Sequence, residues 1–562
     1  MGARFLSAVL VAALASPFTA TAARAAKLRF EIVDDESGRA TPARITLVDE
    51  EGRSHVPPAS LPVAGECEKP APAWWTDGEA EKGRGTSLLD TTAGARAFYV
   101  DGPVEIDVPP GRYRLVASKG FEYRVASLPI EVGEDGATAA VRLERWIDMP
   151  SRGWFSADGH LHVSRPHRDL DPLVGRWMAA EDLHVANLLA MGRVGGVAAA
   201  RQYAFGASGG YREGDTVVAP GQENPRTWVL GHGVVLGARE YLDPGESYLV
   251  YQPVWEKARA QGALSGYAHW FAPGVMIDAP TGLIDFLEVL QVDVPNDSML
   301  YRTWDLGLRI APTAGTDFPC LEDLPGSVRF YTRVEGELSY ASWLAGLRAG
   351  RTFVTNGPLL ELRVGAGEAS ADVGGEIALA KPGTVRALAV VRFDPTRDDV
   401  EALELVRDGE VAARATSRRA AGEIALESDV EIRASGWLAL RTRGTKLDRR
   451  PQGARKRFSA SQTAPVWIDV AGTPPLGTGP RARAEARAAL AEIATLRALF
   501  EPSGEGAFLE IPDWRRNVGV EQLRKSRTGV LAELDRAAKW YQERAAATEP
   551  TATPPAPAEK RH

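Results

Sequence analysis

Apolar and polar positions alternate with a period of two in Arg44-Ile45-Thr46-Leu47-Val48 and in Val104-Glu105-Ile106-Asp107-Val108. That pattern belongs to strands with one buried face. Pro109-Pro110-Gly111 is a turn feeding a further strand through Leu115, so residues 27–148 read as an all-β sandwich. The stretch from Gly65 to Ala93, rich in Gly, Pro and charge, reads as an irregular insertion. From 149 to 357 apolar runs alternate with helical periodicity. Strands are expected at Phe155–His162, His184–Met191, Val217–Glu223, Trp228–Leu236, Leu264–His269, Phe286–Val292, Leu308–Thr313 and Val328–Arg333. Helices are expected at Leu170–Asp182, Ser247–Gln261, Ser298–Leu306 and Tyr340–Ala349. Strand–helix alternation implies parallel pairing and a wound or barrel α/β unit. Residues 358–473 return to short alternating strands and read as a second β-sandwich. Between 480 and 546 two apolar stripes at helical spacing, Leu490/Ile493/Leu496/Phe500 and Leu523/Val530/Leu531/Leu534/Ala538/Tyr541, predict a helical hairpin. The tail at 547–562 has no core-forming pattern and reads as disordered.

The N-terminal 26 residues add a destination. Arg4 precedes the apolar run Phe5–Ala15, and Ala23-Arg24-Ala25 fits a cleavage site for an export signal. The run is too short to span a bilayer and no later stretch is long and apolar enough, so a periplasmic or secreted protein without membrane insertion is expected. A net charge of −8 gives no reason to expect nucleic acid as a partner. The basic run Arg449–Arg457 reads as a solvated loop, with anion binding as the alternative. Two cysteines exclude a zinc-finger framework. In an oxidising compartment Cys67 and Cys320 could pair, or both could be buried thiols.

Candidate chemistry lies between Trp154 and Pro319. Six of the 8 histidines lie between His160 and His269. Asp158-Gly159-His160-Leu161-His162 ends an apolar run, and residues two apart on extended backbone point the same way. Both imidazoles can therefore reach one metal ion. Glu223, His232, His269 and Asp317 follow; His232 sits between glycines inside an apolar strand, and the others lie at or beyond the C-terminal end of an expected strand, the edge where α/β barrels carry their sites. Glu223 is placed to bridge two cations. Asp158 is expected behind His160 and His162, holding an imidazole, and Glu288 lies in a buried-looking strand where a carboxylate needs a partner. His184 is a structural residue or a ligand, His167 is expected to be exposed, and Arg351 is a further candidate near the site.

This order of motifs resembles the polymerase-and-histidinol-phosphatase (PHP) superfamily of metal-dependent hydrolases and, within it, the CehA/McbA-like metallohydrolases. The supporting runs are Ala180-Glu181-Asp182-Leu183, Gly231-His232, Ala314-Gly315-Thr316-Asp317 and Ala349–Pro358, across about residues 95–470. The resemblance implies a distorted (β/α)7 barrel between the flanking sandwiches. It also implies a divalent-metal centre of zinc, manganese or iron. Asp317-Phe318-Pro319 lacks the His of the Asp-x-His that many PHP proteins carry, and no Asp-His pair stands near Leu189-Ala190-Met191. One or two ions, zinc first, are therefore expected. Asp317 or Glu223 would take the proton of the attacking water, and the substrate would be a small molecule with a carbamate, ester or amide bond. The alternatives are a PHP-type phosphoesterase or an extracellular glycan-binding protein with a structural metal. The Pro109–Leu115 run resembles transthyretin-like and carboxypeptidase-regulatory-like sandwiches.

Overall fold

Alternation in the first unit produces two facing sheets. In the computed structural model, which describes residues 25–67, 70–83, 95–269, 272–291, 295–321, 323–416, 422–447 and 458–547, Ala26–Asp34 pairs with Val104–Val108 and Ala137–Leu143. The second sheet orders Ala97–Val100, Ala43–Asp49, Gly111–Ser118 and Ala126–Val132. Leu28, Phe30 and Ile32 from one sheet and Ile45, Leu47 and Leu115 from the other share one buried core, the arrangement of a β-sandwich. The expected export signal as far as Arg24, the tail after Ala547, the basic run and Trp270 lie outside the described residues.

The central sheet begins with Trp154–Leu161, which pairs parallel with Val185–Arg193, itself parallel to Thr216–Thr227. Leu264–Ala268, Phe286–Leu290 and Ala311–Ala314 continue in parallel. Strands covered on both faces read as unbroken apolar runs, and Val185 to Gly192 is buried throughout. Helices Asp171–Ala180, Gln252–Ala260, Asp297–Asp305 and Tyr340–Arg348 form within the same stretch of chain. One expected pairing is different. Gly231–Leu236 runs antiparallel to both neighbours, because Trp228-Val229-Leu230 is long enough for a hairpin and too short for a crossover. The sheet closes where Asp317 N donates to His160 O (2.8 Å) and His162 N to Phe318 O (2.7 Å).

Arg329–Arg333 joins Trp154–Leu161 to Thr352–Thr355, which pairs with Phe458–Thr463. The central sheet therefore continues into the C-terminal β unit. A four-stranded sheet of Ala369–Asp372, Leu359–Ala366, Gly383–Arg392 and Glu423–Ile432 covers it, with Val364, Val385, Leu403, Leu438 and Ile468 in one core. In the Arg351–Pro358 run, Asn356 accepts from Ala460 N and donates to Phe458 O, so this segment is the joint between the two units.

Helices Pro480–Phe500 and Val520–Ala545 pack antiparallel, since Arg527 bonds Phe500 O while Arg497 pairs with Asp535 one turn back. Ile493, Leu496, Phe500, Leu523, Val530, Leu534 and Tyr541 are buried in the same core as the central strands. Leu490, Leu531 and Ala538 pack at its margin.

Candidate metal centre

The His pair leaves one side of its strand, with ring centroids 4.9 Å apart. Each ring has a committed outer nitrogen. His162 Nδ1 lies 3.0 Å from Leu189 O, and His269 Nδ1 lies 2.7 Å from Gln291 Oε1. A carbonyl oxygen only accepts, so each Nδ1 carries the proton and Nε2 of the neutral ring carries a lone pair. Glu288 Oε2, 3.1 Å from His160 Nδ1, asks the same of His160. Such outer partners fix the tautomer that ligates a metal.

The lone pairs converge. His160 Nε2 and His162 Nε2 are 3.1 Å apart. Asp317 Oδ1 lies 3.2 Å from His162 Nε2 and 3.5 Å from His160 Nε2. Glu223 faces both halves: Oε2 is 3.5 Å from His162 Nε2, while Oε1 is 2.6 Å from His232 Nδ1 and 3.4 Å from His269 Nε2. The structure thus brings His160, His162, Glu223, His232, His269 and Asp317 together. His160, His162 and Glu223 form one set of mutually close ligand atoms, and Glu223, His232 and His269 a second. Acceptors packed this closely repel unless a cation lies among them. Of the buried polar atoms of the cluster, His232 Nε2 has no hydrogen bond among the described residues, and Glu223 Oε2 has besides its neighbours in the cluster only the ion pair with Arg226 Nε (2.9 Å). Buried atoms of that kind are rare in folded proteins, and a metal ion fits the donor set.

Electrostatics agree. Burial works against a charged His160 ring, yet Glu288, Asp317 and Glu223 outweigh it and push the ring up to about 10. A field that holds a proton this strongly also holds a metal ion in competition with it. Burial pulls His232 down to about 4 despite Glu223. Burial would raise Glu223, but Arg226 and His232 hold it well below the usual carboxylate range.

The surrounding chain sets this geometry. Asp158 Oδ1 accepts from His160 N (3.0 Å) and Thr316 N (3.1 Å); Oδ2 accepts from Thr316 Oγ1 (2.6 Å) and Gly326 N (2.9 Å). It ties the loops around the centre together. Gly315 is required by close approach, because a Cβ there would run into His160 Cβ and Glu288 Oε2. His269 and Asp317 take left-handed backbone, φ 60° and 55°. That conformation costs on the order of 1 kcal/mol for residues with a Cβ and turns both side chains inward at the strand ends. Every ligand candidate lies at one sheet edge, but His232 begins its strand instead of ending it, because that strand runs in reverse.

Cys67 and Cys320 form a disulfide, Cα atoms 5.4 Å apart. Glu66 N donates to His162 O (3.1 Å), and Ala200 N to Glu66 Oε2 (2.8 Å). A strap from the N-terminal unit thus lies against the centre. Cys320 Sγ is within ligand distance of His162 and Asp317, but the disulfide removes the thiolate.

Three candidates lie elsewhere. His184 sits at the opposite strand end, 2.9 Å from Ser156 Oγ, and lines a cavity of about 630 Å³. Burial pulls its ring down to about 4, so it is a neutral structural residue. Arg351 pairs with Glu335 beside the start of its strand, away from the centre. His167 is exposed, its Nε2 3.0 Å from Thr76 O. Sequence reasoning passed over Gln291, the Leu189 carbonyl and Trp228, whose ring stacks on His269 at 5.5 Å. A residue three beyond Glu288 was the only signal for Gln291, and a backbone carbonyl leaves none.

No protein-family model and no curated protein matches the chain. Among solved structures it is similar to a streptococcal ancillary pilin at 15% identity and a TM-score of 0.14, over 25% of this chain and 38% of the pilin. That likeness carries no argument. Fold and centre together define a mixed α/β protein, rich in β-sandwich, with a buried His/carboxylate cluster that could hold a metal ion. Among the described residues no helix is long and apolar enough to cross a membrane.

Proposed function

We propose that this chain is an exported metal-dependent hydrolase acting on a carbamate, ester or amide bond of a small molecule. The observation that carries the reading is the pair of ligand sets sharing Glu223. Two cations a few ångströms apart need a common anion between them, and Glu223 stands where one would be. His160, His162 and Asp317 would hold one ion with Glu223; His232 and His269 would hold the other. Bound divalent metal, zinc by its His/carboxylate donors, supplies Lewis acidity and a lowered pKa for water. The protein's own part is positional. Glu288, Gln291 and the Leu189 carbonyl fix the rings, Asp158 holds the loops, and Asp317, at the edge of the cluster, is the carboxylate best placed to accept a proton. The motif order that resembles CehA/McbA-like proteins of the PHP superfamily supports the same reading, with its distorted (β/α)7 barrel. The disulfide suits an oxidising compartment outside the cytoplasm.

Metal analysis of protein purified without chelators tests this, followed by a panel of aryl esters, carbamates, anilides and phosphomonoesters. About one or two ions per chain, with turnover of C–O or C–N bonds lost on chelation, is the expected result. Turnover of phosphomonoesters alone, or glycan binding with no turnover, would overturn it.

A further inference from the structure

The disulfide joins the N-terminal strap to the ligand cluster itself, through one of its two sulfurs. Cys320 N donates to Asp317 O at 2.6 Å, a tight turn that brings Cys320 back beside Asp317. A ligand nitrogen of His162, a carboxylate oxygen of Asp317 and the Cys320 sulfur lie within 4.8 Å of one another. Among the described residues no such set includes Cys67. The two cysteines are therefore unequal: Cys320 stands in the cluster, and Cys67 belongs to the strap. Both are half-buried, whereas His160, His162 and Glu223 are buried, so a reagent reaches the bridge more readily than the ligands behind it.

His162 belongs to two sets, this one and the set with His160 and Glu223. Its Nδ1 is committed to the Leu189 carbonyl at 3.0 Å, which leaves Nε2 as its one ligand atom. One lone pair serves one cation, so both sets describe the surroundings of the same ion. A sulfur from Cys320 would thus add to His160, His162, Glu223 and Asp317 there and would not found a separate site. Bonded to Cys67 it does not ligate, because the thiolate is the ligand form of cysteine. A catalytic centre keeps one coordination position open, whereas a centre filled by protein ligands is structural. Thiolate and imidazole are both favoured ligands of zinc, so a freed Cys320 competes well for the open position. Resting on the hydrolase reading above, we propose that Cys320 is a latent ligand of the metal centre, masked by its bond to Cys67, and that a dithiol switches hydrolysis off by unmasking it. The dithiol gives two electrons and two protons to the S–S bond and becomes a disulfide, while Cys67 and Cys320 become thiols. Cys320 then releases its proton to solvent as its sulfur fills the position that hydrolysis needs. Glu66 keeps its hydrogen bonds with His162 O and Ala200 N, so Cys67 stays near and a small disulfide restores the bridge by the reverse exchange.

Protein loaded with cobalt(II) tests this apart from turnover, since a thiolate ligand gives cobalt a near-ultraviolet charge-transfer band. The oxidised wild type should show no such band. Cys67→Ser frees Cys320 and should show it without reductant, as should wild type opened with a phosphine. Cys320→Ser frees Cys67 instead and should show none. Cobalt should slow alkylation of Cys320 in Cys67→Ser about tenfold or more, and leave Cys67 in Cys320→Ser unprotected. On an ester that the wild type cleaves, kcat of Cys67→Ser should fall about tenfold or more, and capping Cys320 with a methanethiosulfonate should recover it. Absence of the band from both Cys67→Ser and reduced wild type would overturn the proposal. So would a band of equal strength in Cys320→Ser, or a band in Cys67→Ser with kcat unchanged. A wild type that cleaves no ester, carbamate or anilide, with the band present in Cys67→Ser, would refute the hydrolase reading and leave the latent ligand standing. Turnover by the wild type with no band in Cys67→Ser would do the reverse.

Discussion

Each of the three rings His160, His162 and His269 offers the centre one nitrogen because its other nitrogen already has a partner. Glu288 holds two positions at once, taking Nδ1 of His160 and the backbone N–H of His269 (3.3 Å). Glu288→Gln keeps the shape and removes the charge that makes the ring a strong ligand. It should weaken metal binding about 10–100-fold, the usual cost of losing such a partner. Competition titration with a chromogenic chelator reads this, and unchanged affinity would mean that Glu288 orients nothing. His162→Ala and Asp317→Asn each remove a proposed direct ligand and should abolish turnover with loss of bound metal. His167→Ala should keep both, because His167 bonds a carbonyl of the N-terminal insertion at the surface. Metal content and kcat of the three variants decide the matter; equal metal loss in His167→Ala would show the ligand set to be drawn wrongly. The His pair was legible because a period of two on extended backbone fixes the side a residue faces. Asp317 and His269 were legible as polar residues just beyond apolar strands. The left-handed backbone that aims them was not, since neither is glycine. His184 was left open between a structural role and a ligand, and Arg351 was set near the site, for one reason: closeness to a motif in sequence does not say at which end of a strand a residue stands.

At the scale of elements, the hairpin Thr216–Leu236 sets Glu223 opposite Val234 and Arg226 opposite His232, and so brings Glu223 Oε1 within 2.6 Å of His232 Nδ1. Short linkage, readable as the three residues Trp228–Leu230, dictated that turn, yet the alternation of strands and helices around it suggested parallel pairing throughout. Local chain length decided over the regional pattern. The C-terminal hairpin was legible as amphipathic stripes, but its docking surface was not, because apolar periodicity names a buried face without naming what covers it. That surface carries a charge problem. Glu533 on Val520–Ala545 is buried against the barrel, where it accepts from Gln252 N (3.1 Å). Burial and then the nearby Asp278 push it up from 4.5 to about 8. Burial pushes Asp278, which accepts from Tyr267 (2.6 Å) and Trp255 (2.7 Å), from 3.8 to about 6. The sign follows from linkage: a carboxyl whose folded pKa is raised stabilises docking below its unfolded value and loses that contribution as pH rises through the folded one. The hairpin should therefore hold most firmly below about pH 3.8 as far as these groups are concerned, and loosen as pH climbs through about 6 and then about 8. Glu533→Gln should flatten the upper part of that dependence and stabilise the protein at pH 9. Hydrogen exchange of the helix from pH 6 to 9 checks it; equal slopes in variant and wild type would refute the assignment.

Across the whole molecule, the units were legible as a sequence of patterns, whereas their continuity was not. Strand Phe458–Thr463 extends the central sheet by pairing with Thr352–Thr355, a long-range register that no local periodicity encodes. The N-terminal sandwich is held to the barrel in two independent ways. Away from the centre, buried polar contacts do it: Tyr99 donates to Glu181 (2.7 Å), and Arg145 pairs with Glu122 and Asp182. At the centre, the disulfide does it, joining positions 253 residues apart. Closing so long a loop stabilises by about 5 kcal/mol in the chain-entropy model, and measured bridges give about 2–4. Because the buried pairs survive without the bridge, the double variant Cys67→Ser/Cys320→Ser should still fold with its sandwich docked. Its thermal midpoint should fall, and the segment Leu61–Cys67 should become the first site of proteolysis, since Glu66 then holds His162 and Ala200 with two hydrogen bonds alone. Bound metal should stay at the wild-type level, as no proposed ligand of the bridged protein is touched. A midpoint unchanged by the double substitution, or by a phosphine reductant acting on the native protein, would show that the strap is fastened by packing and that the bridge contributes nothing to the closed state.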